Sequence, residues 1–539
     1  MNLKTCVSRS GHFIFGVHKP AFQAENLREH DAVCLLGNFE DGALCTNNIN
    51  FPEGMVTEEN ADHIYEIPNA FPFRGTTYII KSAADRNSEN LSGFVLPQKP
   101  CLSMSEMLKN WADSELTEDK LNDFFCCLPG PLLLTLASNS TDPQDLTRIA
   151  DYCCKFVRDP ETGRPKGLVF RKDNQGHPRA VIKDHTLCEV LANNIFLPDD
   201  YKEVMVLRPG VQGASEIVGE WSRDKSSHVY EYLRRNSYIP WGHYAANMAN
   251  DAIRYRAEDL SYSDIKGMRH LYYQRTYVRL ARQMGIGRKY NSRKTLDKDE
   301  LENLRIEIIE NLADKKTDFN STLWGWNFGF DYAASGYRLH ASHQQIHQQY
   351  ALIPSQFSCD NSKDGEYFTP FSFGGLAADF VKLYKDKTGT NFFDNYIKAI
   401  KNNTRVDKDK NKESDLVIYK DENVMLFVPK AQTSQWEIQL MTLAYAGNIL
   451  ETDKDVRKSL DTAMLLGVKI LEKMGARMIT HIECSKPFDC NSKDQRLLYC
   501  FLPKMPYSPG SFTEAQLRWI NGHYPEDFAK ACRNVMTGL

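Results

Sequence analysis

The segment Asn327-Phe-Gly-Phe-Asp-Tyr-Ala-Ala-Ser-Gly-Tyr-Arg-Leu-His340-Ala-Ser342-His343-Gln-Gln345-Ile-His347-Gln-Gln349 holds the densest grouping of imidazole and amide side chains in the chain. Read as an extended strand, it projects residues 343, 345, 347 and 349 from one face, because side chains alternate with period two. That face reads His, Gln, His, Gln. Such a set suits attack on phosphorus: a neutral imidazole is the nucleophile, and amides hold anionic oxygens without protonating it. With an unperturbed pKa of about 6.5, the imidazole is largely neutral near pH 7. Read as a helix, the same residues imply other chemistry. His340, His343 and His347, three and four apart, would share a face and ligate a metal, as in a metal-dependent hydrolase. The Glu of zinc peptidase helices is missing between them, however. Gly325, Gly329 and Gly336 upstream, and Tyr350-Ala-Leu-Ile-Pro354 downstream, favour a strand.

The order of these residues resembles the histidine-triad (HIT-like) superfamily, in the branch of galactose-1-phosphate uridylyltransferase and diadenosine tetraphosphate phosphorylase. That branch carries Asn-x-Gly, then a small residue and Ser, then His-x-His-x-Gln. Asn327 and Gly329 match the first element, Ala341-Ser342 the second and Gln345-Ile-His347-Gln348-Gln349 the third. The resemblance implies a nucleotidyltransferase or phosphorylase working by double displacement. His347 attacks the α-phosphorus of a nucleotide, and a phosphate-bearing acceptor resolves the nucleotidyl-histidine. By the same resemblance Gln349 donates to the transferred phosphoryl group. Ser342 and Asn327, with Gly329, hold the neighbouring phosphate, and His343 and Gln345 belong to the substrate face. Gln345 stands where the family has its first His, a zinc ligand in zinc-binding relatives, so structural zinc is not indicated. Neither is Mg2+, and the histidine step requires no cofactor.

Ile67-Pro-Asn-Ala-Phe-Pro72 is similar to a Pro-Asn-x-Phe-Pro stretch of the uridylyltransferases, which implies Asn69 and Phe71 in a base pocket. The plainer reading is a turn with a buried aromatic. Gln349, rather than a final His, favours transfer over HIT-type hydrolysis. Gln345 and Gln348 support the alternative of a catalytically inactive nucleotide-binding protein. The expected partners are a nucleotide or nucleotide sugar and a phosphate-bearing acceptor, with a homodimer left open.

A chain of 539 residues is too long for one ordinary core. The resemblance implies an α+β, HIT-like antiparallel sheet with packed helices in a bilobal molecule. Residues 1–220 read as an N-terminal α/β region and 221–539 as the catalytic region. A net charge of −4 gives no global field for nucleic acid or membrane. The 14 cysteines lack disulfide-framework spacing, and no signal peptide or membrane-length apolar run is evident, so a cytoplasmic location is expected. Walker-type and Gly-x-Ser-x-Gly motifs are absent.

The elements that must position the motif follow from periodicity. Met268, Leu271 and Tyr272 begin one helical stripe; Leu301, Leu304, Ile308 and Leu312 form another after the acidic start Asp297-Lys-Asp299-Glu300. Val424-Met-Leu-Phe-Val-Pro429 reads as a strand, and Val456, Leu460, Met464, Val468 and Leu471 mark a long amphipathic helix. Residues 403–415, rich in Lys, Asp and Asn, read as an exposed loop.

Overall fold

Val424 to Phe427 are all buried, as are Ile438 to Thr442, so neither run alternates between core and solvent. Strands of this kind lie inside a sheet covered on both faces. The computed structural model describes residues 3–18, 23–25, 34–48, 55–57, 62–96, 100–112, 116–172, 174, 176, 178–192, 194, 196–205, 260–287, 290, 295–315, 317–329, 346–358, 367–505 and 510–539. It is a mixed α+β protein. Strands β1 (Phe319–Gly329), β2 (Ile346–Pro354), β3 (Val417–Lys420), β4 (Val424–Phe427), β5 (Ile438–Thr442), β6 (Met478–Cys484) and β7 (Leu498–Pro503) form one sheet. Its order is β2-β1-β6-β7-β5-β4-β3, and every pairing is antiparallel.

Helices α1 (Tyr262–Gln283), α2 (Lys298–Leu312), α3 (Phe373–Thr388), α4 (Phe392–Lys401) and α5 (Lys454–Lys473) cover this sheet. Successive strand residues go to opposite cores. Val424, Leu426 and Leu440 pack with Leu460 and Met464 of α5 and Tyr277 of α1. Met425, Phe427 and Met441 pack with Phe380 of α3 and Phe392 and Tyr396 of α4. Each such large apolar side chain stabilises the fold by roughly 1.5–3 kcal/mol. The helix starts follow the polar signals in the sequence. Asp297 and Glu300 close a capping box on α2, and Ser261 and Asp264 do the same for α1. A buried bidentate pair, Arg269 to Asp461 at 2.6 and 2.7 Å, ties α1 to α5.

The expected break near residue 220 lies outside the described residues. Strands Gly16–His18, Ile64–Pro68 and Thr76–Ile80 share a sheet with Arg518–Asn521, which runs parallel to Thr76–Ile80. Tyr65, Ile67, Phe71 and Ile79 join the same core as α3 and α4, so the N-terminal strands belong with the large sheet. A separate core joins helices and short strands between residues 102 and 205, including Leu133, Leu146, Ile149 and Leu191. The 403–415 stretch is a loop, but not uniformly exposed: Arg405 is buried between Asp407 and Asp527, and Val406 beside it is buried too. No single described helix is long and apolar enough to cross a membrane.

Candidate active site

Position 347 lies in strand β2, as the extended reading expects, while His340 and His343 of the helical alternative lie outside the described residues. His347 stands directly opposite Asn327 of β1, and Gln349 opposite Gly325. The ladder continues into β6, pairing Asn327 with Thr480 and Gly325 with Ile482, and from Ile482 to Cys500 of β7. Two neighbouring rows thus cross the sheet: 347–327–480 and 349–325–482–500. Among the described residues β2 is the edge strand, so its outer side meets no further strand of this sheet.

A groove of about 610 Å³ opens over the second row, lined among others by Gly325, Gln349, Arg74, Phe73, Phe371 and Phe373. Gly325 forms part of its floor, and a side chain there would start 2.9 Å from the His481 carbonyl oxygen. Gly374 positions the segment that carries Phe371 and Phe373. Its backbone lies so close to Ser485 that a Cβ would overlap the Ser485 carbonyl, which seats α3 tightly on the end of β6 and brings Phe371 and Phe373 to the rim.

Asn327 is buried, and its amide oxygen accepts from the Thr480 hydroxyl at 2.8 Å, which sets the orientation of the amide. Gln349 is exposed in the groove. Gln348 accepts from the Trp324 indole at 3.1 Å, so its amide has a structural use.

Arg74 was not among the residues the sequence singled out. Its guanidinium donates to Glu437 at 2.7 Å and to the Thr433 hydroxyl at 2.5 Å. Glu437 is fully buried and accepts further bonds from the Thr433 backbone N–H and hydroxyl and from Gln439. Burial alone would raise the Glu437 pKa, but the Arg74 charge and these donors lower it below the usual carboxylate value. The pair is electrically balanced, so it adds little net charge to the groove. The available signal was an arginine in the otherwise apolar turn Phe71-Pro-Phe-Arg74-Gly.

Asn69 and Phe71 are corrections. Asn69 is 2% exposed and donates to the Ala431 carbonyl while accepting from the Phe71 N–H. Phe71 is enclosed by Phe73, Phe380, Phe392 and Phe393. Both are committed to the interior and brace the turn that presents Arg74, so neither lines a base pocket. Gly329 lies in β1, paired with Met478. His340, Ser342, His343 and Gln345 lie outside the described residues.

Behind the rows, on the α1 side, Glu483 accepts from the Tyr272 hydroxyl at 2.9 Å, and burial pushes its pKa up to about 7. His481 is stacked between Trp326 and Tyr499, and burial lowers its pKa to about 3, so it is a neutral packing group. Because folding raises the Glu483 pKa from 4.5 to about 7, the native chain holds a proton that the unfolded chain releases. Its contribution is therefore favourable at low pH and is lost as pH rises through this window, by up to about 3 kcal/mol. Glu483→Gln keeps a hydrogen-bond acceptor and removes the ionisation. Urea melts should show it more stable than the parent at pH 8, with the gap closing towards pH 4.5; a gap independent of pH would contradict the assignment.

No protein-family model matches the chain, and no curated protein is similar to it in sequence. Solved structures are similar in part. An ADP-glucose phosphorylase from Arabidopsis thaliana with bound ADP-glucose overlays at a TM-score of 0.30 and 16% identity, over 44% of this chain and 66% of that one. A GalT-like protein from Arabidopsis thaliana overlays at 0.30 and 17%, over 44% and 69%. A uridylyltransferase overlays at 0.31 and 11%, over 45% and 69%. These overlays span less than half of this chain and about two thirds of each of the others.

Proposed function

We propose that the protein is a HIT-like, bilobal nucleotidyltransferase or phosphorylase that acts on the phosphoanhydride of a nucleotide or nucleotide sugar through His347. One observation carries the reading. The two separated parts of the motif, Asn327 and the His347-x-Gln349 element, are direct or adjacent cross-strand partners, and Gln349 with its partner Gly325 lines an open groove.

In the proposed reaction the His347 imidazole forms a P–N bond to the α-phosphorus as the P–O bond to the leaving phosphate breaks. An acceptor phosphate oxygen then forms a new P–O bond, and the P–N bond breaks. Gln349 donates to a non-bridging oxygen of the transferred group. Asn327, whose oxygen is held by Thr480, offers its NH2 to the neighbouring phosphate with Ser342, and Gly329, His343 and Gln345 complete the substrate face. Gln349→Ala should lower kcat by roughly 10²–10³-fold with little change in KM, as loss of one preorganised oxyanion donor does. A change confined to KM would assign Gln349 to ground-state binding instead.

The test of the function is incubation with nucleotide sugars and dinucleoside polyphosphates carrying a radiolabelled α-phosphate. Protein-bound label that survives base and leaves in acid is a phosphoramidate, and His347→Ala should abolish it. Turnover without label in the parent would count against the covalent route. Tight nucleotide binding with neither label nor turnover would favour a binding protein.

A further inference from the structure

The core between residues 102 and 205 gathers three cysteines. Cys153 ends the helix Pro143–Cys153, Cys154 follows in extended conformation, and Cys188 lies in the first turn of the helix His185–Ala192. All three are buried. Their sulfur atoms lie within 4.8 Å of one another, with Cys154 Sγ 3.7 Å from Cys188 Sγ. The backbone around them is tied down. The Lys183 N–H donates to the Cys153 carbonyl at 2.8 Å, the Cys188 N–H donates to the Asp184 carbonyl at 3.0 Å, and Cys154 bridges to Ile182.

We propose that Cys153, Cys154 and Cys188 form a binding site for one closed-shell thiophilic cation, Zn2+ or Cu+. Thiolates around zinc at about 2.3 Å lie about 3.8 Å apart, close to the Cys154–Cys188 separation. The ligands are all sulfur, which selects soft or borderline cations and disfavours Mg2+ and Ca2+. Adjacent Cys153 and Cys154 cannot readily bridge to each other, and a Cys154–Cys188 disulfide would close 3.7 Å to about 2.05 Å and strand the third thiol. Zn2+ needs a fourth ligand, and His185 lies three residues before Cys188 on the same helix, one turn away. Cu+ is content with three thiolates.

The site lies apart from the sheet rows that carry His347, so it stands or falls independently of the nucleotidyl reaction. The test uses the full-length reduced chain, loaded separately with Zn2+ and with Cu+, and with Co2+ as a spectroscopic stand-in. One equivalent of Zn2+ or Cu+ per chain is expected, with a raised melting temperature and sulfur-to-cobalt charge-transfer absorption. Cys154→Ala and Cys188→Ala should weaken binding at least tenfold, and the exposed Cys126→Ser should leave it unchanged. Loss of affinity in His185→Ala identifies the Zn2+ arm; retention with Cu+ identifies the other. Should the alanine variants fail to fold, stoichiometry and the cobalt spectrum of the parent still decide. Absence of stoichiometric metal, a cobalt spectrum without thiolate bands, or retention in Cys154→Ala/Cys188→Ala overturns the proposal.

Discussion

Replacing His347 by alanine is expected to lower turnover by about 10⁴-fold or more, the scale on which loss of a covalent nucleophile acts. Its melting temperature should move by no more than about 2 °C, because position 347 lies on the edge strand of the sheet and a chemical role requires no part in the core. The combination separates a chemical role from a structural one. His347→Gly sharpens it, since the proposed nucleophile is an imidazole that can be supplied from solution. Added imidazole should restore nucleotide cleavage in His347→Gly and leave the parent unaffected. A modest loss of rate together with a large loss of stability would make His347 a packing residue of β2.

Arg74→Ala should destabilise the fold by about 3–5 kcal/mol, the cost of leaving one partner of a buried ion pair uncompensated. The reason lies with Glu437 rather than with Arg74. Glu437 is fully buried and keeps its Thr433 and Gln439 donors in the variant, but no positive charge. Its pKa should then rise, so that the deficit in urea melts is larger at pH 8 than at pH 5. Arg74→Lys should not rescue, because one ammonium cannot reproduce planar contacts to both Glu437 and Thr433. Arg74→Ala with Glu437→Gln should recover part of the loss, since the stranded charge is gone. A cost for Arg74→Ala below about 1 kcal/mol would show that water reaches the pair and screens it.

Much of the sheet was legible because its signals are local. The buried run at Val424, the stripe from Val456 to Leu471 and the acid-capped start at Asp297 each correspond to an element within a few residues. Period-two reading of the His347 segment was possible because glycines and a following proline bracket it, and position 347 lies in a strand. What escaped was long-range. The parallel pairing of Arg518–Asn521 with Thr76–Ile80 joins the two ends of the described chain, and no local pattern encodes it. That pairing belongs to the packing that brings Arg74 to Glu437, more than 360 residues away, and so builds a groove wall from a turn read only for Asn69 and Phe71. Those two residues misled because a polar amide beside a phenylalanine looks alike in a pocket and in a braced turn; only their burial and hydrogen bonds separate the cases. The three converging cysteines escaped for the same reason, since Cys188 lies more than 30 residues from its partners and carries no Cys-x-x-Cys signature.

The central claim, a nucleotide carried on His347, is tested most directly by trapping it. The protein is mixed with a nucleotide sugar in the absence of acceptor, quenched in base within the first turnover, digested at alkaline pH and analysed by tandem mass spectrometry. The account predicts one nucleoside monophosphate per chain, localised to the imidazole at position 347 and discharged when an acceptor phosphate is added before the quench. An adduct on any other residue, or inversion at phosphorus over the full reaction in place of the retention that two displacements require, would contradict it.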